Sequence, residues 1–133
     1  MGSPIKSDLM MNMIATKDIA AYAAKRLLAL DFTGHNVQYL LGQRDLTCGQ
    51  VAAIIGQAIG KSNLPYVEFS YEDYKKGMMG MGASESVADN MNTFMKAMNE
   101  GLVLADAKRR PDSTTPTSIE DFAKVFAHVY QHS

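Results

Sequence analysis

Two residues have types and a spacing that could support acid–base chemistry. Tyr71 and Lys75 are one helical turn apart, so a helix would place both side chains on one face. Some oxidoreductases use this Tyr-x-x-x-Lys spacing for a catalytic acid and for a lysine that holds the ribose of a cofactor. The spacing is also frequent by chance, and no nucleotide-binding motif accompanies it. We therefore keep the pair as weak catalytic candidates and favour an ordinary surface helix.

Methionine and glycine are concentrated in GMMGMG, residues 77–82. A phosphate-binding loop has a different glycine spacing and follows a strand, whereas this run follows a polar helix. Methionine adapts to irregular apolar surfaces, so the run could face an apolar ligand or a partner. The alternative is a flexible helix–helix connection that packs on the core. On the first interpretation, the contacting residues are Tyr74, Met78, Met79, Met81, Met91 and Met95.

The remaining reactive side chains give no complete site. Cys48 lies in the first turn of a predicted helix, where the dipole favours thiolate, but no histidine is placed beside it by sequence. We predict a structural cysteine. His128 and His132 are one turn apart near the end of the chain and lack the glutamate of a metalloprotease motif. No metal site is predicted.

Length and composition exclude several classes of protein. The 133 residues are expected to form a single domain, 1–133, with residues 1–12 extended or partly disordered. A formal charge of −1 gives no field for nucleic acid or for an anionic membrane. No apolar run is long enough to span a bilayer, and one cysteine fits a reducing compartment. We expect a cytoplasmic protein.

The most regular stretch, residues 36–60, predicts a strand, a turn and a helix. Val37, Tyr39 and Leu41 alternate at strand period. Thr47 precedes Gln50 by three residues, the spacing of a capping box. Apolar residues at helical spacing follow until Gly60, so we expect a βα unit.

Periodicity and capping residues elsewhere predict a helix-rich α/β domain with two or three short strands and about five helices. A short extended segment is expected at 10–14 and a strand at 66–70. Thr16, Ser84 and Thr117 are the expected caps of three helices. Besides the helix within residues 36–60, helices are expected at 17–30, 71–79, 85–100 and from 118 to about 130.

Six short motifs occur in a familiar order. They are ATKDIA (15–20), LLGQRDLTCGQVAAIIGQAIG (40–60), YVEFSYEDY (66–74), MGASESVADNM (81–91), NEG (99–101) and TTPTSIEDF (114–122). In this order the sequence resembles the C-terminal half of NmrA-like proteins, atypical short-chain dehydrogenase relatives that include NADPH-dependent quinone reductases. The resemblance covers residues 13–126.

The resemblance implies a two-part molecule, in which an N-terminal Rossmann domain binds NAD(P) and a smaller C-terminal lobe closes over the substrate. The glycine-rich motif that seats the pyrophosphate is absent from this sequence, so we expect no cofactor to be bound by this chain. The leading hypothesis is a substrate- or ligand-binding lobe that is inactive alone. The alternatives are a non-enzymatic interaction or regulatory module and a subunit of an oxidoreductase completed by a separate Rossmann chain.

We further expect the chain to associate, either as a homodimer or with a Rossmann-domain partner, because the lobe of this family packs against that domain. An apolar small molecule is the other expected partner. The predicted contact regions are residues 10–14, the edge of the strand at 37–41, and Met78, Met79 and Met81.

Overall fold

The computed structural model describes residues 1–103 and 105–132. The elements in these ranges are β1 (Gly2–Ser3), α1 (Thr16–Ala29), α2 (Cys48–Ala58), β2 (Val67–Glu68), α3 (Tyr71–Gly80), α4 (Glu85–Asn99) and α5 (Ile119–Gln131). The predicted helix-rich α/β class, with five helices and two short strands, is confirmed. No helix of the described residues is both long and apolar enough to cross a bilayer.

The sheet consists of β1 and β2, which pair in parallel with Gly2 opposite Val67. The amide of Val67 donates to the carbonyl of Met1 (2.8 Å), and that of Phe69 donates to Ser3 (3.0 Å). The strand predicted at 66–70 is thus present but shorter. β1 could not be predicted, because two residues are too few to show a strand period.

The strand predicted at 37–41 is wrong. Only Leu41 pairs, in an isolated parallel bridge to Thr114, and Val37 is exposed. The extended segment expected at 10–14 is likewise reduced to one bridge, between Met11 and Leu46. Alternating apolar residues favour a strand only where another strand can pair with them, and the described chain supplies no such neighbour to Val37.

The core lies where α2 packs against α5. Buried Leu46, Val51, Ile55 and Ala123 form its centre. The capping box of α2 is present as predicted: the amide of Gln50 donates to Thr47 Oγ1 (3.1 Å) and the amide of Thr47 donates to Gln50 Oε1 (2.9 Å). This box fixes the start of α2 and hence its position under α5.

Two predicted helix caps are wrong. α5 is capped by Ser118, whose Oγ accepts from the amide of Asp121 (3.1 Å), and not by Thr117. α1 begins at Thr16 without a side-chain cap. The first difference has a cause described below: Thr117 is engaged by Asp18 of α1.

The helical spacing of apolar residues in α5 predicts an inward face of Ile119, Phe122, Ala123, Phe126 and Val129, and this prediction is wrong in part. Phe122, Phe126 and Val129 are exposed, and α5 is buried through Ala123 and Ala127. Small side chains face α2 because the two helices pack closely, which leaves the larger residues of α5 on the outside.

Helices α3 and α4 pack against each other as a hairpin. α3 ends at Gly80, one residue later than predicted, and Gly82 (φ +93°) makes the turn. Ser84 caps α4 as predicted (3.3 Å to the amide of Val87). Asn99 attaches the hairpin to the N-terminal segment, donating to the carbonyl of Pro4 (2.8 Å).

Candidate functional site

The six residues predicted to contact a ligand or partner all lie on the α3–α4 hairpin. Tyr74, Met78 and Met79 belong to α3, Met81 is its C-cap, and Met91 and Met95 belong to α4. We call these six residues the methionine surface. Met79 and Met81 are exposed, whereas the other four are half-buried. Their assignment to a ligand stays a prediction.

The methionine surface is apolar apart from one phenol. Its only ionisable side chain is Tyr74, and the rest are thioethers. Unbranched, polarisable methionines fit ligands of irregular shape and contact aromatic rings favourably. A flat apolar molecule is therefore the class of ligand that this surface suits.

Lys75 and Tyr71 each have other partners within the hairpin. Lys75 Nζ lies 2.7 Å from Asp89 Oδ1 and 3.0 Å from Glu85 Oε1. The bonds to Asp89 and Glu85 raise the pKa of Lys75, so its ammonium stays charged. The hydroxyl of Tyr71 accepts from Asn99 Nδ2 (2.8 Å). These contacts support the favoured interpretation of a surface helix.

Cys48 is buried beside Tyr66 in the first turn of α2. Burial raises the pKa of Tyr66 to about 12, and the neighbouring thiol contributes in the same direction. The Tyr66 hydroxyl donates to the carbonyl of Ile5 (2.8 Å) and lies 2.6 Å from Ser3 Oγ. The surroundings of Cys48 are thus those of a packed interior, which agrees with a structural role.

His128 and His132 contact each other near the end of α5. The rings of His128 and His132 are 4.5 Å apart, and His132 Nδ1 is 2.7 Å from the carbonyl of His128. Within residues 1–103 and 105–132, no three or more His, Cys, Asp or Glu side chains are grouped so that they could hold a metal ion.

Asp18 is the polar residue that the sequence did not reveal. It is the one buried residue of α1, with 9% of its surface exposed. Its Oδ1 accepts from Thr117 Oγ1 (2.7 Å) and its Oδ2 accepts from the amide of Thr117 (3.0 Å). Two charge-assisted bonds therefore join α1 to the segment that precedes α5. From sequence, Asp18 was visible only as an acidic residue in a first helical turn, which favours the helix dipole.

The pKa of Asp18 shows that the bonds to Thr117 outweigh burial. Burial alone would raise the pKa, but the hydrogen bonds from the side chain and amide of Thr117, helped by Thr115 and Lys17, lower it below its ordinary value. The carboxylate therefore stays charged at neutral pH. Through it, the first turn of α1 is bonded to Thr117.

Helix α1 exposes a broad apolar surface. Leu27, Leu28 and Leu30 are 63%, 85% and 76% exposed. Ile19, Phe32 and Val37 are exposed as well, and we call these six residues the α1 surface. α1 makes no extensive contact with another helix or strand of the described chain. Large exposed apolar patches on soluble proteins often coincide with interaction sites.

The backbone at Leu30 is strained. Leu30 has the left-handed conformation (φ +48°) at the C-cap of α1, a position that favours glycine because a Cβ is strained there. The Leu30 side chain is exposed, so no burial within the described chain offsets this strain.

The total exposed area is larger than that of a compact monomer of the same mass. The chain exposes 9013 Å². A monomer of its 14.5 kDa mass exposes about 6,900 Å². The excess of roughly 2,000 Å² is more than the ~800 Å² that each partner contributes to a standard protein interface.

No family model matches the sequence, but two curated proteins are similar to it. The NAD(P)H azoreductase of Xenophilus azovorans is 38% identical over 84 residues, which are 62% of this chain and 28% of the relative. Prestalk A differentiation protein A of Dictyostelium discoideum is 26% identical over 116 residues, which are 86% of this chain and 38% of the relative. The chain thus spans well under half the length of these relatives.

Solved structures of Citrobacter sp. triphenylmethane reductase share the fold. One, a complex with NADP(H), has a TM-score of 0.68 at 21% identity, over 96% of this chain and 44% of the reductase. A second has a TM-score of 0.66 at 19% identity, over 96% and 43%. The relatives whose names give an activity are reductases, and the fold of this chain matches less than half of the triphenylmethane reductase.

Proposed function

We propose that this chain is the substrate-side lobe of an NAD(P)H-dependent reductase, inactive alone, and that it docks on a nucleotide-binding domain. The α1 surface is the observation that carries the proposal, because three leucines more than 60% exposed require a covering partner. The lobe then contributes the methionine surface to the substrate, while the nucleotide-binding domain contributes the cofactor.

The lengths of the relatives support a missing partner domain. The chain matches 44% of the triphenylmethane reductase with bound NADP(H). The glycine-rich motif that binds a pyrophosphate is absent from this sequence. A cofactor for this lobe must therefore come with another domain, in the same or a separate chain.

The proposed substrate is a multi-ring aromatic molecule. The names of the relatives specify azo compounds for one and triphenylmethane for another. These classes share flat aromatic rings, and exposed methionines suit such rings because sulfur–aromatic contacts are favourable and the side chains adapt.

A second candidate is a non-enzymatic interaction module. It is favoured by the Dictyostelium relative, whose name gives a role in differentiation and which matches 86% of this chain. This candidate uses the α1 surface in the same way. It differs in requiring no aromatic ligand on the methionine surface, so dye binding distinguishes the two.

We expect the chain alone to show no saturable binding of NADPH. The backbone amides of a glycine-rich turn at a helix start normally hold the pyrophosphate, and the sequence has no such turn. Titration followed by NADPH fluorescence tests this, with the intact Citrobacter reductase as positive control. Saturable binding at micromolar concentration would contradict the proposal that another domain supplies the cofactor-binding site.

A triphenylmethane dye is expected to bind the methionine surface, with a shift of the dye's absorbance. Replacing both Met79 and Met81 by serine should weaken binding roughly 30-fold, because each buried thioether contributes on the order of 1 kcal/mol. Met10→Ser is the matched control, since Met10 is similarly exposed but lies outside this surface. Equal affinities for all three proteins would refute the assignment of the methionine surface.

A further inference from the structure

A cavity of about 250 Å³ lies between α2, α5 and the segment that leads into α1. Its floor is formed by the buried core residues Leu46, Val51 and Ile55. Met13 and Phe122 also line it. None of the residues of the methionine surface lines this cavity, so the two are separate features.

The size of the cavity limits what it can hold. Dry apolar cavities of ~150 Å³ admit a single benzene ring. The present cavity therefore accommodates one or two fused rings, but neither a helix nor a strand of another protein. Its wall of methionine, isoleucine and phenylalanine side chains suits an aromatic ring better than a polar molecule.

The rim of the cavity is polar, and its lining cation, Arg44, is paired with a carboxylate. Arg44 lies at the rim, and its guanidinium binds Glu120 through two bonds (3.0 and 2.5 Å). The pair keeps both groups ionised, since the bond to Glu120 raises the pKa of Arg44 and the bond to Arg44 lowers that of Glu120. A bound anion would have to compete with Glu120, so a neutral ligand fits better.

The rim groups differ in whether they can hold a polar substituent of a ligand. The hydroxyls of Thr117 and Ser118 are already engaged, because Thr117 donates to Asp18 and Ser118 is bonded to Asp121 (2.6 Å). By contrast, the Thr16 hydroxyl and the Gln43 amide nitrogen make no hydrogen bond within the described residues. A ligand hydroxyl at the rim would satisfy one of them.

We propose that this cavity binds a small neutral aromatic molecule of one or two rings with a single hydroxyl group at the rim. The proposal is independent of the proposed function, because it uses neither the α1 surface nor the methionine surface.

The test uses protein labelled with ¹³C at its methionine methyl groups and 2-naphthol as the probe. Met13 is the methionine that lines the cavity, and the other methionines serve as internal references. We expect a saturable shift of the Met13 methyl signal with a Kd on the order of 0.1–1 mM, the usual range for so small a ligand. Nuclear Overhauser contacts between naphthol protons and that methyl should accompany the shift.

Two comparisons complete the test. The anion 2-naphthoate should bind at least several-fold more weakly than 2-naphthol. Ala15→Leu, which places a larger side chain at the cavity wall in an extended backbone (φ −76°), should weaken naphthol binding at least tenfold. Ala53→Leu, on the exposed face of α2, should have no effect.

The proposal is wrong if the Met13 signal does not saturate, if Met10, which belongs neither to the cavity nor to the methionine surface, shifts in parallel with Met13, or if 2-naphthoate binds as tightly. The contacts to the Met13 methyl decide the question even if Ala15→Leu fails to fold, because they need only the unaltered chain.

Discussion

Replacing Asp18 by alanine is expected to lower the free energy of unfolding by about 3 kcal/mol, which corresponds to a fall in Tm of roughly 10 °C for a domain of this size. The buried carboxylate accepts two bonds from Thr117, one of them from the backbone amide. Removing it leaves both donors without an acceptor in a partly buried position. Urea denaturation followed by circular dichroism measures the loss.

The matched control is Asp31→Ala, just beyond the other end of α1. Asp31 is exposed and pairs with Arg26 at 2.9 Å on the surface, so its removal should cost less than about 1 kcal/mol. Similar losses for the two variants would show that Asp18 does not clamp α1 to the segment before α5.

The pH dependence gives a second check on Asp18. Because its pKa is lowered in the folded state, the stabilisation is fully present above the unfolded-state pKa of about 3.9 and is lost as the pH falls through the lower folded-state pKa. The difference in stability between the parent and Asp18→Ala should therefore be constant near neutrality and shrink only below about pH 4. A difference that changes near pH 7 would implicate another group.

Local signals were sufficient for the elements whose determinants are close in sequence. The capping box of α2 needs only Thr47 and Gln50, three residues apart, and it was predicted correctly. The same holds for Ser84 at the start of α4. The strand at 37–41 failed because pairing depends on a neighbour far along the chain, which no local pattern encodes.

The contacts of the candidate sites were harder to predict for the same reason. Asp18 and Thr117 are 99 residues apart, and each alone has an ordinary local explanation as a first-turn acid and a helix cap. Ile19, Tyr22, Ala23, Leu27 and Leu30 form an apolar stripe at helical spacing in the sequence of α1. Periodicity does not say whether such a stripe is covered by the same chain or by another. The methionine surface could be located because its residues cluster within 74–95 and fold into one hairpin.

The isolated chain is expected to self-associate through the α1 surface, with a molar mass in light scattering near twice 14.5 kDa. In the absence of a nucleotide-binding domain, a second copy is the surface most readily available to cover the exposed leucines, and a two-fold dimer is the simplest closed arrangement. A compact monomer of this length would have a radius of gyration of about 14 Å, so small-angle scattering provides an independent measure.

Charged substitutions locate the contact. Replacing Leu27 and Leu28 by lysine should shift the chain to a monomer. Each copy would then place two lysine ammonium groups against the apolar surface of the other copy, where they would lie without partners. Val125→Lys on α5 is the matched control, since Val125 is 62% exposed and Leu27 63%. If Val125→Lys dissociates the dimer and the α1 substitutions do not, the interface lies on α5. A monomer at all concentrations would instead mean that the leucines of α1 stay in water when the chain is alone, and that only a separate domain covers them.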